Sequence, residues 1–224
     1  MDKTRDKSVY DIAKWFIQKD FDEPRNNFKG NMKLQKLLYF AQLIHIYFYD
    51  ELLFDEPIRA FKNGPVVECI RLDYKNHTAE FIRDAKNMVK SFNRKIMKTL
   101  ITTVEIFGDY SAEKLSELSH QHDCWERTLK ESKDAFGYYH KDKNIIPIEE
   151  LKNENLENIA QLIKAKEMLA EVNHKCEVVH GVEFYYDPDE IEITDELMQK
   201  LKEYKGEDRA FTIYKDPSQG LVIY

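Results

Sequence analysis

The sequence predicts a mainly α-helical protein: a compact helical domain around a buried central helix in residues 1–173, then a small α+β appendage in residues 174–224. Three observations predict it. Between Met32 and Tyr49, apolar residues recur at three- and four-residue spacing and also fill much of the opposite side, as in a helix enclosed by a core. After His174 the composition turns β-branched and aromatic, which marks strands. The 224 residues include 13 Tyr and 13 Phe, enough apolar bulk for one substantial core plus an extension.

Each element follows from local chemistry. Ser8-Val9-Tyr10-Asp11 reads as a capped helix start, and the helix runs to about Lys19 with Ile12, Trp15 and Phe16 on its apolar face. Asp22 to Gly30 is a polar break containing Pro24. The central helix carries Leu34, Leu37, Leu38, Ala41, His45 and Phe48 on one stripe, with Phe40, Leu43, Ile44 and Tyr47 opposite. Asp55 to Gly64 reads as irregular. A short helix is expected from Val66, because proline at position 65 is tolerated in a first turn. Asn93 to Phe107 predicts a long helix with Ile96, Leu100, Val104 and Phe107 on one side, ended by Gly108. Ser111 caps the next short helix. Ile148 to Val172 forms the last long helix, with Leu156, Ile159 and Ile163 on one stripe. In the appendage, strands cover Cys176 to Val179 and Val182 to Tyr186, and Thr194 caps a helix reaching about Tyr204. Phe211 to Tyr214 and Leu221 to Tyr224 flank a hairpin-like turn through Pro217, Ser218 and Gln219.

Composition narrows the function. A net charge of −7 and a pI near 5.6 argue against nucleic acid as the main partner, where a basic face is expected. With seven glycines, no phosphate-cradling loop can be read. The three cysteines, Cys69, Cys124 and Cys176, are far apart, which fits a reducing cytoplasm. The start of the chain is charged, and no apolar run is long enough to span a membrane, so a soluble cytoplasmic protein is expected. His120-Gln121-His122-Asp123-Cys124 is the one cluster of ligand-type residues, but its spacing fits no common zinc pattern or nucleophile–base pair. No catalytic, cofactor or metal residue is assigned. Acidic runs at Glu149-Glu150 and Asp187 to Glu192 adjoin helix starts, where they favour the helix dipole.

Two surfaces are candidates for holding a partner. Lys86, Lys90, Arg94 and Lys98 recur every fourth residue, which on one helix makes a basic stripe. Phe211, Tyr214 and Tyr224 belong to strands rich in apolar and aromatic side chains, a common source of interface anchors.

Four segments resemble the Panacea domain of SocA-like antitoxins, a family that includes phage-associated proteins. Residues 33–42, Lys-Leu-Gln-Lys-Leu-Leu-Tyr-Phe-Ala-Gln, are similar to the family's K-L-Q-K-L-L-Y-Y-A-Q helix. Leu53 to Phe61 resembles its L-F-x-E-x-I-x-A-W stretch, with Phe61 in place of Trp. Gly64-Pro65-Val66 matches its G-P-V, and Leu118, His120 and Trp125 fall as in its L-x-x-x-H…P-W ending, with Cys124 where proline is usual. The resemblance makes Lys33, Gln35, Lys36, Gly64, Pro65, Val66, His120 and Trp125 scaffold residues. It implies an antitoxin that blocks a toxin from a neighbouring gene by direct contact. The alternatives are an adaptor delivering the toxin to an AAA+ protease, or a nucleic-acid-binding regulator. Whether the chain self-associates is left open.

Overall fold

The structure, a computed structural model, describes residues 8–25, 28–206, 208–216 and 220–223. It is mainly helical and divides into two compact units, one ending at Ile163 and one starting at Lys164. Tyr224 and the turn residues Pro217, Ser218 and Gln219 lie outside the described residues.

In the first unit, α1 (Val9–Gln18) places Val9, Ile12, Ala13, Phe16 and Ile17 in the core. Ser8 sits at its N-cap, but the hydroxyl makes no capping bond. The expected capping box is therefore absent, and apolar burial holds this helix. Helix α2 (Lys29–Tyr49) is buried almost without interruption from Leu34 to Ile46. Its buried polar side chains find partners outside the helix, as burial requires. Gln42 accepts from Leu53 N at 2.8 Å and donates to Phe54 O at 3.0 Å, and His45 Nδ1 meets Thr99 Oγ1 at 2.7 Å.

The chain then departs from expectation. Residues read as irregular, and as the start of a helix, form a hairpin of β1 (Ile58–Phe61) and β2 (Gly64–Val67). Ile58 and Ala60 point inward while Arg59 and Phe61 are half-buried, and every residue of β2 is buried. The hairpin is covered further by Ile146, whose N–H donates to Ile58 O at 2.9 Å, and by Asn144, whose carbonyl accepts from Ala60 N at 2.7 Å. Only after Val67 does the chain turn into α3 (Glu68–Asn76), followed by α4 (Thr78–Lys86).

Helix α5 (Arg94–Phe107) starts at Asn93, whose side chain accepts from Ile96 N at 3.0 Å. Gly108 follows it, but with φ −60° rather than the left-handed conformation of a glycine cap. Lysine 33 supplies the missing cap: Lys33 Nζ donates to Gly108 O at 2.7 Å, a cation at the negative end of the helix. Helix α6 (Ala112–Ser119) is capped by Ser111 as expected, at 3.1 Å to Lys114 N. It is followed by α7 (Asp123–Glu131) and α8 (Ile148–Asn173), which bring Trp125, Leu151, Ile159 and Ile163 into the same core.

The second unit contains a four-stranded sheet in the order β3 (Lys175–Val179), β4 (Val182–Tyr186), β5 (Ala210–Asp216), β6 (Gly220–Ile223). The β3–β4 and β5–β6 pairs are antiparallel, and β4 and β5 run parallel. Residues His180 and Gly181 both take positive φ, which suits a tight hairpin turn. Between β4 and β5, α9 (Asp195–Glu203) starts at the Thr194 cap and buries Leu197 and Leu201. These leucines pack with Val179, Phe184, Tyr186, Ile191, Phe211 and Ile213 in a separate small core. Among the described residues, no helix is long and apolar enough to cross a membrane.

Candidate partner-binding cavity

The four recognisable sequence segments converge on one place, the β1–β2 hairpin and the face of α2 beneath it. Gln35 is 2% exposed, and its Oε1 accepts from Val67 N at 2.8 Å while Nε2 donates to Asn31 Oδ1 at 3.3 Å. One turn of helix is thereby tied to the end of β2. Lys36 is 1% exposed, and its Nζ donates to Pro65 O at 3.0 Å. Burial alone brings its pKa down to about 7, because the charged amine has lost its water. Gly64 has φ +98°, and a Cβ there would lie 2.5 Å from Lys36 Nζ and 2.6 Å from Ser119 Oγ. Glycine is required on both counts, for the backbone angle and for the close approach.

Helices α6 and α7 hold the other side of the hairpin. Ser116 Oγ donates to Asn63 O at 3.0 Å, and Trp125 Nε1 donates to Phe61 O at 2.9 Å. His120 stacks on Trp125, with centroids 4.0 Å apart and planes 6° from parallel. Burial, and then the nearby Lys36, lower the His120 pKa. His122 Nδ1 shares a 2.6 Å hydrogen bond with Tyr39 OH, and burial pushes its pKa down to about 4. The same burial raises the Tyr39 phenol well above its ordinary value. Cys124 is fully buried.

Beside this frame lies a cavity of about 510 Å³. Its apolar wall includes Phe28, Met32, Phe61 and Val66, and its polar wall includes Lys36, Lys62, Arg71 and Lys75. Among the described residues, no acidic side chain lines it. The Arg71 guanidinium stands 5.2 Å from the Phe61 ring centroid. Its Nε is buried without a hydrogen-bond partner among the described residues, and its Nη2 lies 3.7 Å from Glu68 Oε1. That carboxylate is already held by Lys141 at 2.8 Å and Arg59 at 3.4 Å. These contacts, Lys141 foremost, keep the Glu68 pKa low.

The scaffold residues Gln35, Lys36, Gly64, Pro65, Val66, His120 and Trp125 are thus brought together, while Lys33 acts apart from them at the end of α5. The basic stripe requires correction. Lys86 ends α4, Lys90 lies in the connection, Arg94 opens α5 and Lys98 is on α5. No single helix carries all four, because α4 gives way at Asn87 and the Asn93 cap starts a new helix. Lys90 is ion-paired with Asp11 at 2.6 Å, and the Lys98 ammonium lies 4.5 Å from the Phe48 ring centroid. In the sheet, Phe211 also requires correction: strand alternation turns it into the small core at 8% exposure, while Tyr214 on the other face is 40% exposed.

Sequence reasoning missed Lys62, Arg71 and Lys75 as cavity residues. The four-residue spacing of Arg71 and Lys75 was a legible signal that both fall on one face of α3. Among the described residues, no group of three or more His, Cys, Asp or Glu is placed to share a metal ion.

Compared with known proteins, residues 34–126 match the family model described as Antitoxin SocA-like, Panacea domain. No curated protein and no solved structure matches the chain.

Proposed function

We propose, for a chain whose residues 34–126 carry a SocA-like Panacea domain, that it is a cytoplasmic antitoxin acting by direct contact with a toxin encoded nearby. The observation that carries the reading is that match, which spans the α2 to α7 frame of the cavity. The geometry supports a binding role rather than a catalytic one. His120, Trp125, Gln35 and Gly64 are spent on fixing the hairpin. The groups that face the cavity are basic and aromatic side chains. Charged and aromatic groups of this kind are what protein interfaces use for orientation and anchoring.

The test is co-expression with the product of each adjacent gene. The expected result is that one neighbour arrests growth, that this chain restores it, and that the two purify as a complex. Restored growth without a complex, or only in cells containing an AAA+ protease, would replace direct blockade with delivery for degradation. If no neighbour is toxic or bound, the antitoxin reading falls.

A further inference from the structure

The cavity beside the hairpin points to the chemistry of what binds there. The chain carries a net charge of −7, yet four basic side chains line this recess and, among the described residues, no acidic one does. Gathering like charges costs free energy unless something of opposite sign joins them. Glu68 meets that need only in part, since it lies 3.7 Å from Arg71 Nη2 and is shared with Arg59 and Lys141. Lys36 Nζ gives one of its three N–H donors to Pro65 O, and Arg71 Nε gives its donor to nothing described. An incoming carboxylate would supply the acceptors that both lack. Phe28, Met32, Phe61 and Val66 give the recess an apolar wall beside these groups, and about 510 Å³ is far more room than a single carboxylate fills.

We infer that the cavity receives an acidic segment of the partner polypeptide. One carboxylate is directed to Lys36 between Lys62, Arg71 and Lys75, and a neighbouring apolar side chain rests on Phe61 and Val66. This rests on the reading of the chain as a protein-binding antitoxin, but its test does not need the toxin. A carboxylate beside Lys36 favours the protonated amine, so binding near neutral pH takes up a proton from solvent.

The probe is the peptide acetyl-Glu-Glu-Phe-Glu-Glu amide, titrated calorimetrically into the full chain in two buffers of different ionisation heat. Its lysine counterpart and inorganic phosphate serve as comparison ligands. The expected result is binding of the acidic peptide that weakens with salt and takes up a proton at pH 7. The double variant Lys62→Glu/Lys75→Glu changes two exposed side chains, and an unchanged melting curve checks that it folds. It should bind the peptide at least about tenfold more weakly. Lys36→Met should abolish the proton uptake. Absence of peptide binding, equal binding by the double variant, or equal binding of the lysine peptide overturns the inference. Phosphate binding as tightly as the peptide makes the recess a free-anion site and overturns the polypeptide occupant. These failures leave the growth-rescue result standing, and failure of growth rescue leaves them readable.

Discussion

At the scale of single residues, the buried amine of Lys36 governs a measurable property. Its pKa is about 7 when folded and near the ordinary lysine value when unfolded, so between about pH 7 and 10.5 the unfolded chain binds the proton more strongly. Stability attributable to this group therefore rises with pH across that window and is lost as pH falls through 7. The variant Lys36→Met lacks the titration. Its stability relative to the native chain should be highest below pH 7 and should shrink by on the order of 3 kcal/mol as pH approaches 10.5. Urea unfolding of both proteins at pH 6, 8 and 10 measures this, and a constant difference would refute it. The importance of Lys36 was visible in the sequence only through its motif. A lysine within an apolar helix usually extends its head to water, and nothing in residues 33–42 says that the hairpin closes over it.

At the scale of elements, most helices were legible, while α4, α7 and the first hairpin were not. Helices α1, α2, α5 and α8 announce themselves through periodic apolar residues, and α6 and α9 through the capping residues Ser111 and Thr194. The four-residue strands β1 and β2 are too short to show a period. Pro65 in β2 also breaks the strand pattern; its missing N–H is tolerated because β2 is an edge of a two-stranded sheet, and Gln35 anchors the next turn at Val67. That anchor is testable. Gln35→Met keeps the volume but leaves Val67 N–H and Asn31 Oδ1 without these partners. Destabilisation of about 1–3 kcal/mol is expected, together with faster amide exchange at Val67. Unchanged exchange would mean that packing alone holds the hairpin on α2.

At the scale of the whole molecule, the change from helices to strands after His174 was legible, and so were the strands themselves. The order in which they join was not, because no local pattern shows that β4 lies beside β5 and parallel to it. For the same reason the sequence left the facing of Phe211 open, and the mixed sheet stacks it on Phe184 with ring centroids 5.8 Å apart. The mixed sheet also sets an order of events during folding. Each antiparallel pair, β3–β4 and β5–β6, joins strands that are close in sequence and needs no distant residue. The parallel seam needs the whole connection through α9 to be in place first, because a tight turn cannot join parallel strands. Loop closure must therefore precede its reward, and the seam is the slow step for this unit. Leu201→Ala, which loosens α9 from the sheet, should slow the gain of protection at Phe184 and Phe211 in pulse-labelled hydrogen exchange. Protection at the β3–β4 turn should appear at its native rate. Were the seam to form as early as the hairpins, the connection through α9 would already be ordered in the unfolded chain.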